Sequence, residues 1–183
     1  MNSLHLSKYT ISIVVIYLFI SIYFFFFTKR ASSLFVFSGK DFLLLPPILL
    51  CALVSLFLVN KLLRFGDVSF NRKSLSQVLL IIFYYGLLIA LPEELIFRGF
   101  VQQNLHSYLG GGMAIILSAA IFGFAHVFNG ARSLEGKDWN WKLVAMSFVA
   151  GLFLGFAYFL TGSLIVPIVL HILLGLVMKI FIK

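Results

Sequence analysis

The sequence predicts an all-α fold: a polytopic membrane bundle of about six transmembrane helices with both termini cytoplasmic. Three observations carry this expectation. Of 183 residues, 62% are hydrophobic and 11% charged, with a mean hydropathy of +1.09, whereas a soluble domain is about half apolar and about a quarter charged. The apolar residues form continuous runs, not the alternation over about ten positions that marks a membrane β-barrel. The basic residues behind the net charge of +8 sit in short groups between those runs. That placement suits anchoring at anionic headgroups and orientation of the chain better than a nucleic-acid partner, which is not expected.

The first apolar run, Tyr9 to Phe27, is long enough to span a hydrocarbon core of about 30 Å. It lacks the short core and small-x-small site of a cleavable leader, so it reads as a retained helix. A second helix is expected from about Phe42 to Leu63, with Pro46-Pro47 near its start, where proline is tolerated. Cys51 lies within that run and reads as a small core side chain; one cysteine excludes an internal disulfide. A polar linker, Lys61 to Ser76, leads to a third segment running from about Leu75 to Tyr108. Pro92 falls in its middle, so a kink or restart is expected there.

Gly110-Gly111-Gly112 makes the next turn, and the fourth helix covers Met113 to Phe128. After a polar loop, Asn129 to Asn140, Trp139 and Trp141 mark a membrane interface. The fifth helix covers about Trp141 to Leu160 and the sixth Ser163 to Ile182. With the N-terminus inside, the cytoplasmic basic residues are Lys8, Lys61, Arg64, Arg72, Lys73, Arg132, Lys137, Lys142, Lys179 and Lys183. The opposite side has only Lys29, Arg30 and Lys40, so both termini are expected inside. Gly151 with Gly155, and Ala119 with Gly123, are small-xxx-small pairs suited to close packing of the fourth and fifth helices.

Chemistry concentrates at Leu91-Pro92-Glu93-Glu94-Leu95-Ile96-Phe97-Arg98-Gly99-Phe100. One charge at a bilayer centre costs about 2.5–3.5 kcal/mol on insertion scales, so three in six residues need partners or a purpose. Glu94 and Arg98, four apart, share a helix face and can neutralise each other, a pair that on its own is structural. Glu93, about 100° round the helix, has no local partner. Two further polar groups interrupt apolar helices: His126 in Phe122-Gly123-Phe124-Ala125-His126, in the second half of the fourth helix, and His171 in Pro167-Ile168-Val169-Leu170-His171. A lone membrane histidine can be a helix-packing hydrogen bond. Three ionisable groups on three helices point instead to one shared interior cavity, because lipid would strand each of them.

Glu93-Glu94-x-x-x-Arg98, Phe122-x-x-x-His126 and His171 after a proline resemble the three motifs of the CAAX-prenyl-protease and bacteriocin-processing (CPBP) family of intramembrane endopeptidases, which includes Abi-type proteins. The resemblance covers a protease-like core at about 75–183 within a single membrane-embedded domain, 1–183. It implies a glutamate-type peptidase without a cofactor. Glu93 would be the general base, His126 would help hold and activate the water, and His171 would hydrogen-bond the oxyanion, with Glu94, Arg98 and Phe122 in support. The implied partners are membrane lipids and a hydrophobic or membrane-anchored peptide. The implied setting is a bacterial plasma membrane, in bacteriocin processing, self-immunity or peptide signalling.

One position departs from the pattern. The family commonly carries Asn, sometimes Asp, four residues after the last histidine, and here that position is Gly175. Asn104 and Asn129 are only remote substitutes. A catalytically degenerate scaffold or binding protein of the same fold is therefore the alternative reading. Zinc at Glu93, His126 and His171 is the chemical alternative, since these are ligand types of zinc hydrolases. A transporter would require an inverted repeat, and only the one break at Pro92 is found.

Overall fold

A computed structural model describes residues 32–70, 72–127 and 139–181. The first predicted span lies outside the described residues, as do Lys8, Lys29, Arg30, Asn129, Arg132, Lys137 and Lys183. Beyond a 3-10 turn at Ser32–Phe35, the described chain forms α1 (Gly39–Leu63), α2 (Leu75–Leu109), α3 (Gly111–Ala125), α4 (Trp141–Thr161) and α5 (Ile165–Phe181), with no strand among the described residues. α1, α2 and α4 are each long and apolar enough to cross a membrane; α3 and α5 are shorter apolar helices. The chain is an all-helical membrane protein.

α1 begins three residues earlier than its apolar run suggests. Asp41 lies in its first turn and accepts the Ser38 N–H at 2.7 Å, which satisfies a free amide and suits the positive end of the helix. Pro46 and Pro47 consequently lie inside the helix and not in its first turn, a correction to the expected start. Ile48, Ala52, Leu56 and Asn60, at spacings of four, form the buried stripe. That stripe packs on α4 and α5, and Leu43, Leu50, Val54, Leu58 and Leu62 face outward. Cys51 is also exposed, next to the stripe and not in it, so the expected core role is corrected. A seam one residue wide is enough for a helix whose other faces meet lipid.

α2 is the element on which the sequence expectation changes most. It runs unbroken for 35 residues. Leu91 keeps right-handed helical angles, φ −60° and ψ −52°, so the helix does not restart at Pro92. The proline is absorbed by widening: Tyr85–Ala90 and Leu95–Gln102 are π-helical, with one α turn, Leu91–Glu94, between them. The Leu91 N–H reaches back five residues to the Gly86 carbonyl, and the wider turn accommodates a residue that lacks a donor. Such π turns recur at functional sites, because the extra residue re-aims side chains.

Gly110, at φ +77°, reverses the chain into α3, a backbone conformation open to glycine at little cost. α3 stops at Ala125, earlier than the expected Phe128, and His126 is its C-cap at φ −90°, ψ −2°. The imidazole is therefore carried on the last turn, where the helix releases it. Asn140 caps α4 by accepting the Leu143 N–H at 3.0 Å. Ser163 lies in the turn before α5, its hydroxyl accepting the Ile165 N–H, so the last helix starts two residues later than expected. Pro167 sits in the first turn of α5, where its missing donor is harmless.

α4 touches every other described helix and is the centre of the bundle. A Cβ at Gly123 would lie 2.9 Å from the Val144 carbonyl, and one at Gly151 3.1 Å from Ala119. The two small-xxx-small pairs thus let α3 and α4 approach backbone to backbone, as expected. The core joins Ile48, Leu56, Phe97, Phe122, Met146, Leu154, Val166 and Leu170. Beside this apolar core lies a smaller set of buried polar groups, Glu93, Glu94, Arg98, Gln102 and Ser118.

Candidate active site

All of these polar groups but Ser118 lie on α2. Glu94, Arg98 and Gln102 recur every four residues, and Glu93 adjoins the first. Arg98 Nη1 donates to Glu94 Oε1 at 3.1 Å, with both side chains fully buried. The same carboxylate oxygen meets His171 Nδ1 of α5 at 2.8 Å. Arg98 Nη2 donates to the Gly151 carbonyl of α4 at 3.1 Å, and its Cζ lies 4.6 Å from the centre of the Phe122 ring. One guanidinium thereby links α2, α3 and α4, with ion-pair, carbonyl and cation–π contacts.

Phe122 is the hub of this arrangement. Its ring meets Phe97, His126 and His171 edge-on, at centroid separations of 5.0, 4.6 and 5.9 Å. Buried at 2% exposure, its ring packs against both imidazoles and adds to the hydrogen bonds that hold them. Its backbone carbonyl lies 2.8 Å from His126 Nδ1. A carbonyl only accepts, so Nδ1 carries the proton, and in the neutral ring Nε2 presents a lone pair.

That lone pair faces Glu93. His126 Nε2 stands 3.9 Å from Glu93 Oε1, and His171 Nε2 stands 3.7 Å from Glu93 Oε2. Both separations are too long for direct hydrogen bonds and are the kind of spacing that a water bridges. Glu93 thus stands between the two imidazoles, one on each carboxylate oxygen. Its Oε2 has no hydrogen-bond partner among the described residues.

Exposure divides the two carboxylates. The Glu93, His126 and His171 side chains keep 8%, 14% and 13% of their surface open, whereas Glu94 and Arg98 keep none. The first group thus keeps a small accessible surface, and the sealed pair keeps none.

The structure therefore brings together Glu93, Glu94, Arg98, Phe122, His126 and His171 from three helices. Gly175 lies one turn beyond His171 on α5, half-buried, and brings no side-chain donor. Asn104 does not substitute for one: it is exposed and donates to the Phe100 carbonyl of its own helix at 2.6 Å. Among the described residues no cluster of three or more His, Cys, Asp or Glu is gathered closely enough to hold a metal ion.

Gln102 was not singled out from the sequence. It is buried, and its Nε2 donates to the Gly155 carbonyl at 2.8 Å. With Arg98 on Gly151, it forms a second rung of a ladder whose rungs are four residues apart on both helices. A Cβ at Gly155 would lie 2.8 Å from Gln102 Oε1, so the glycine exposes its carbonyl to α2 as well as allowing close packing. The signal was present in the matching four-residue spacings of Arg98-Gln102 and Gly151-Gly155, but only if both helices were known to be neighbours. Ser118 Oγ, donating to the Phe97 carbonyl at 2.8 Å, ties α3 to the same stretch of α2.

No curated protein and no solved structure matches the chain. The family model described as Type II CAAX prenyl endopeptidase Rce1-like matches residues 75–177, from the start of α2 almost to the end of α5. The matched region holds every residue of the constellation around Glu93 and covers more than half of the sequence. The chain thus belongs to the Rce1-like family of CAAX-type intramembrane hydrolases.

Proposed function

We propose that the protein is a multi-pass intramembrane endopeptidase of the glutamate type, acting without a metal on hydrophobic or membrane-anchored peptides. The observation that carries this reading is Glu93 standing between two imidazoles, at 3.9 and 3.7 Å, each facing a different carboxylate oxygen. In the proposed step a water donates one hydrogen to Glu93 Oε1 and the other to His126 Nε2. Its oxygen attacks the scissile carbonyl carbon as Glu93 takes the proton. His171 Nε2–H hydrogen-bonds the oxyanion that forms. On collapse the C–N bond breaks, and the proton held by Glu93 passes to the leaving amine.

His171 can donate from Nε2 while Nδ1 faces Glu94 only if the pair holds one proton beyond those of a neutral imidazole and a carboxylate. With that proton, the Glu93, Glu94, Arg98 and His171 group sums to zero charge, the state favoured in apolar surroundings. Glu94 accordingly acts as a positioning residue that orients His171, with Arg98 holding Glu94 in place.

Gly175 bears on rate. Loss of one oxyanion donor typically lowers kcat by about 10²–10³, so slow turnover is the expected wild-type behaviour. The same residue favours the second reading, a catalytically degenerate scaffold or binding protein. The proposed setting is a bacterial plasma membrane, in bacteriocin maturation, self-immunity or peptide signalling.

The test is cleavage of a membrane-anchored peptide by the full chain in liposomes. Glu93→Gln and His126→Ala should abolish it without loss of insertion, and Gly175→Asn should raise it. Undiminished cleavage by Glu93→Gln would remove Glu93 from its role. Absence of cleavage in both the wild type and Gly175→Asn would favour the scaffold reading. A zinc centre at Glu93, His126 and His171 predicts loss of activity on chelation and recovery with zinc; the metal-free reading predicts neither.

A further inference from the structure

A second concavity lies away from Glu93, where α1 ends. It is an open groove of about 960 Å³, lined along α1 by Leu53, Phe57 and Lys61, then by Arg64, Phe65 and Asp67 of the turn that follows. None of its lining residues belongs to the Glu93 constellation. Asn60 shapes its floor by clasping Gly66 at both ends of its amide, donating to the carbonyl at 3.0 Å and accepting the N–H at 3.2 Å. The turn is thereby held back against the helix, and a slot opens beside it.

The slot is apolar at one end and cationic at the other. From Leu53 to Arg64 the chain rises about 16 Å along the helix, close to half of a hydrocarbon core of about 30 Å. That length matches one leaflet, which would set the charges at headgroup depth. Lys61 and Arg64 are exposed, and neither forms an ion pair among the described residues. A third cation, Lys142 of α4, is drawn to the same end, its Nζ donating to the Arg64 carbonyl at 2.9 Å.

Arg64 itself has a conformational oddity. At φ 49° and ψ 50° it is the only non-glycine residue with positive φ among the described residues. Helix C-caps in this region are usually glycine, because an L side chain is strained there. Here the position is an arginine, which also lines the slot.

We infer that this slot binds an anionic phospholipid, with the phosphate between Lys61 and Arg64 and an acyl chain along Leu53 and Phe57. Asp67, which also lines the slot, adds an acceptor. It suits a headgroup that offers hydroxyl donors and opposes one that carries a second phosphate. Phosphatidylglycerol matches that description.

Native mass spectrometry of the full chain in detergent tests this, with phosphatidylglycerol or phosphatidylcholine added and thermal stability measured in parallel. One phosphatidylglycerol should be retained in preference to phosphatidylcholine. Each basic residue near a membrane surface contributes about fivefold in affinity, so Lys61→Gln with Arg64→Gln should weaken retention about thirtyfold. Arg64→Gly separates binding from folding: it relieves the strained backbone, so the fold should hold or gain stability while retention falls about fivefold. Arg72→Gln and Lys73→Gln, outside the slot, should leave retention unchanged. Equal retention of phosphatidylcholine, undiminished retention by the double variant, or displacement by millimolar inorganic phosphate would each overturn the assignment.

Discussion

Glu93 and Glu94 are adjacent carboxylates on one helix, yet the bundle treats them in opposite ways. Glu94 is sealed, with Arg98 and His171 both on its Oε1. Glu93 stays partly open, and its nearest polar neighbours are held just beyond hydrogen-bonding distance. The comparison teaches that a charged site within a membrane protein has two separable parts. One part is neutralised where the helices meet and contacts an imidazole; the other is left without a direct partner on one carboxylate oxygen. A buried ion pair is weak evidence for net stability, but removing one partner leaves a stranded charge.

The largest expected effect follows from the open half. Glu93→Gln should lower cleavage by about 10²–10⁴, the usual contribution of a positioned base, while the thermal midpoint in detergent stays near wild type. A large loss of stability in that variant would erase the distinction between the two carboxylates. Next comes the sealed half. Arg98→Ala should destabilise the fold by about 3–5 kcal/mol, because Glu94 remains buried without its guanidinium. Thermal unfolding and helix content should register that loss before any assay does, the reverse of the Glu93 variant.

The second rung of the ladder should matter less. Gln102→Leu removes a neutral hydrogen bond to the Gly155 carbonyl and should cost about 1 kcal/mol, with a smaller fall in activity than Arg98→Ala. If its cost matched that of Arg98→Ala, the rungs rather than the ion pair would carry the sealed half. Smallest of all, Cys51→Ala on the outer face of α1 should shift stability by no more than about 0.5 kcal/mol. A larger shift would mean that this face is covered.

Much of this molecule was legible as pattern. Long apolar runs gave the ends of all five described helices to within three residues, because exclusion of polar groups from hydrocarbon acts on composition alone. The Glu94–Arg98 pair followed from a spacing of four on any helix. The small residues of α3 and α4 pointed to close packing, because a missing side chain is visible in the sequence itself. The failures share a cause. Pro92 was expected to kink or restart α2, and no restart occurs, because a missing donor can be met by a wider turn as well as by a break. Cys51 was expected inside because a uniformly apolar helix does not reveal which side meets protein and which meets lipid. Gln102 was missed because its partner, the Gly155 carbonyl, lies on another helix.

Sequence alone therefore determined that this chain is helical and membrane-embedded, and which few polar residues must find one another there. Those conclusions rest on solvation, which acts on each residue independently of its neighbours in space. Only the tertiary structure decided that Glu94 is sealed and Glu93 open, that His126 caps its helix with Nδ1 on the Phe122 carbonyl, and that α2 crosses Pro92 without a break. Those outcomes depend on which atoms the packed helices bring within hydrogen-bonding distance, a matter of a few tenths of an ångström that no spacing along one chain encodes.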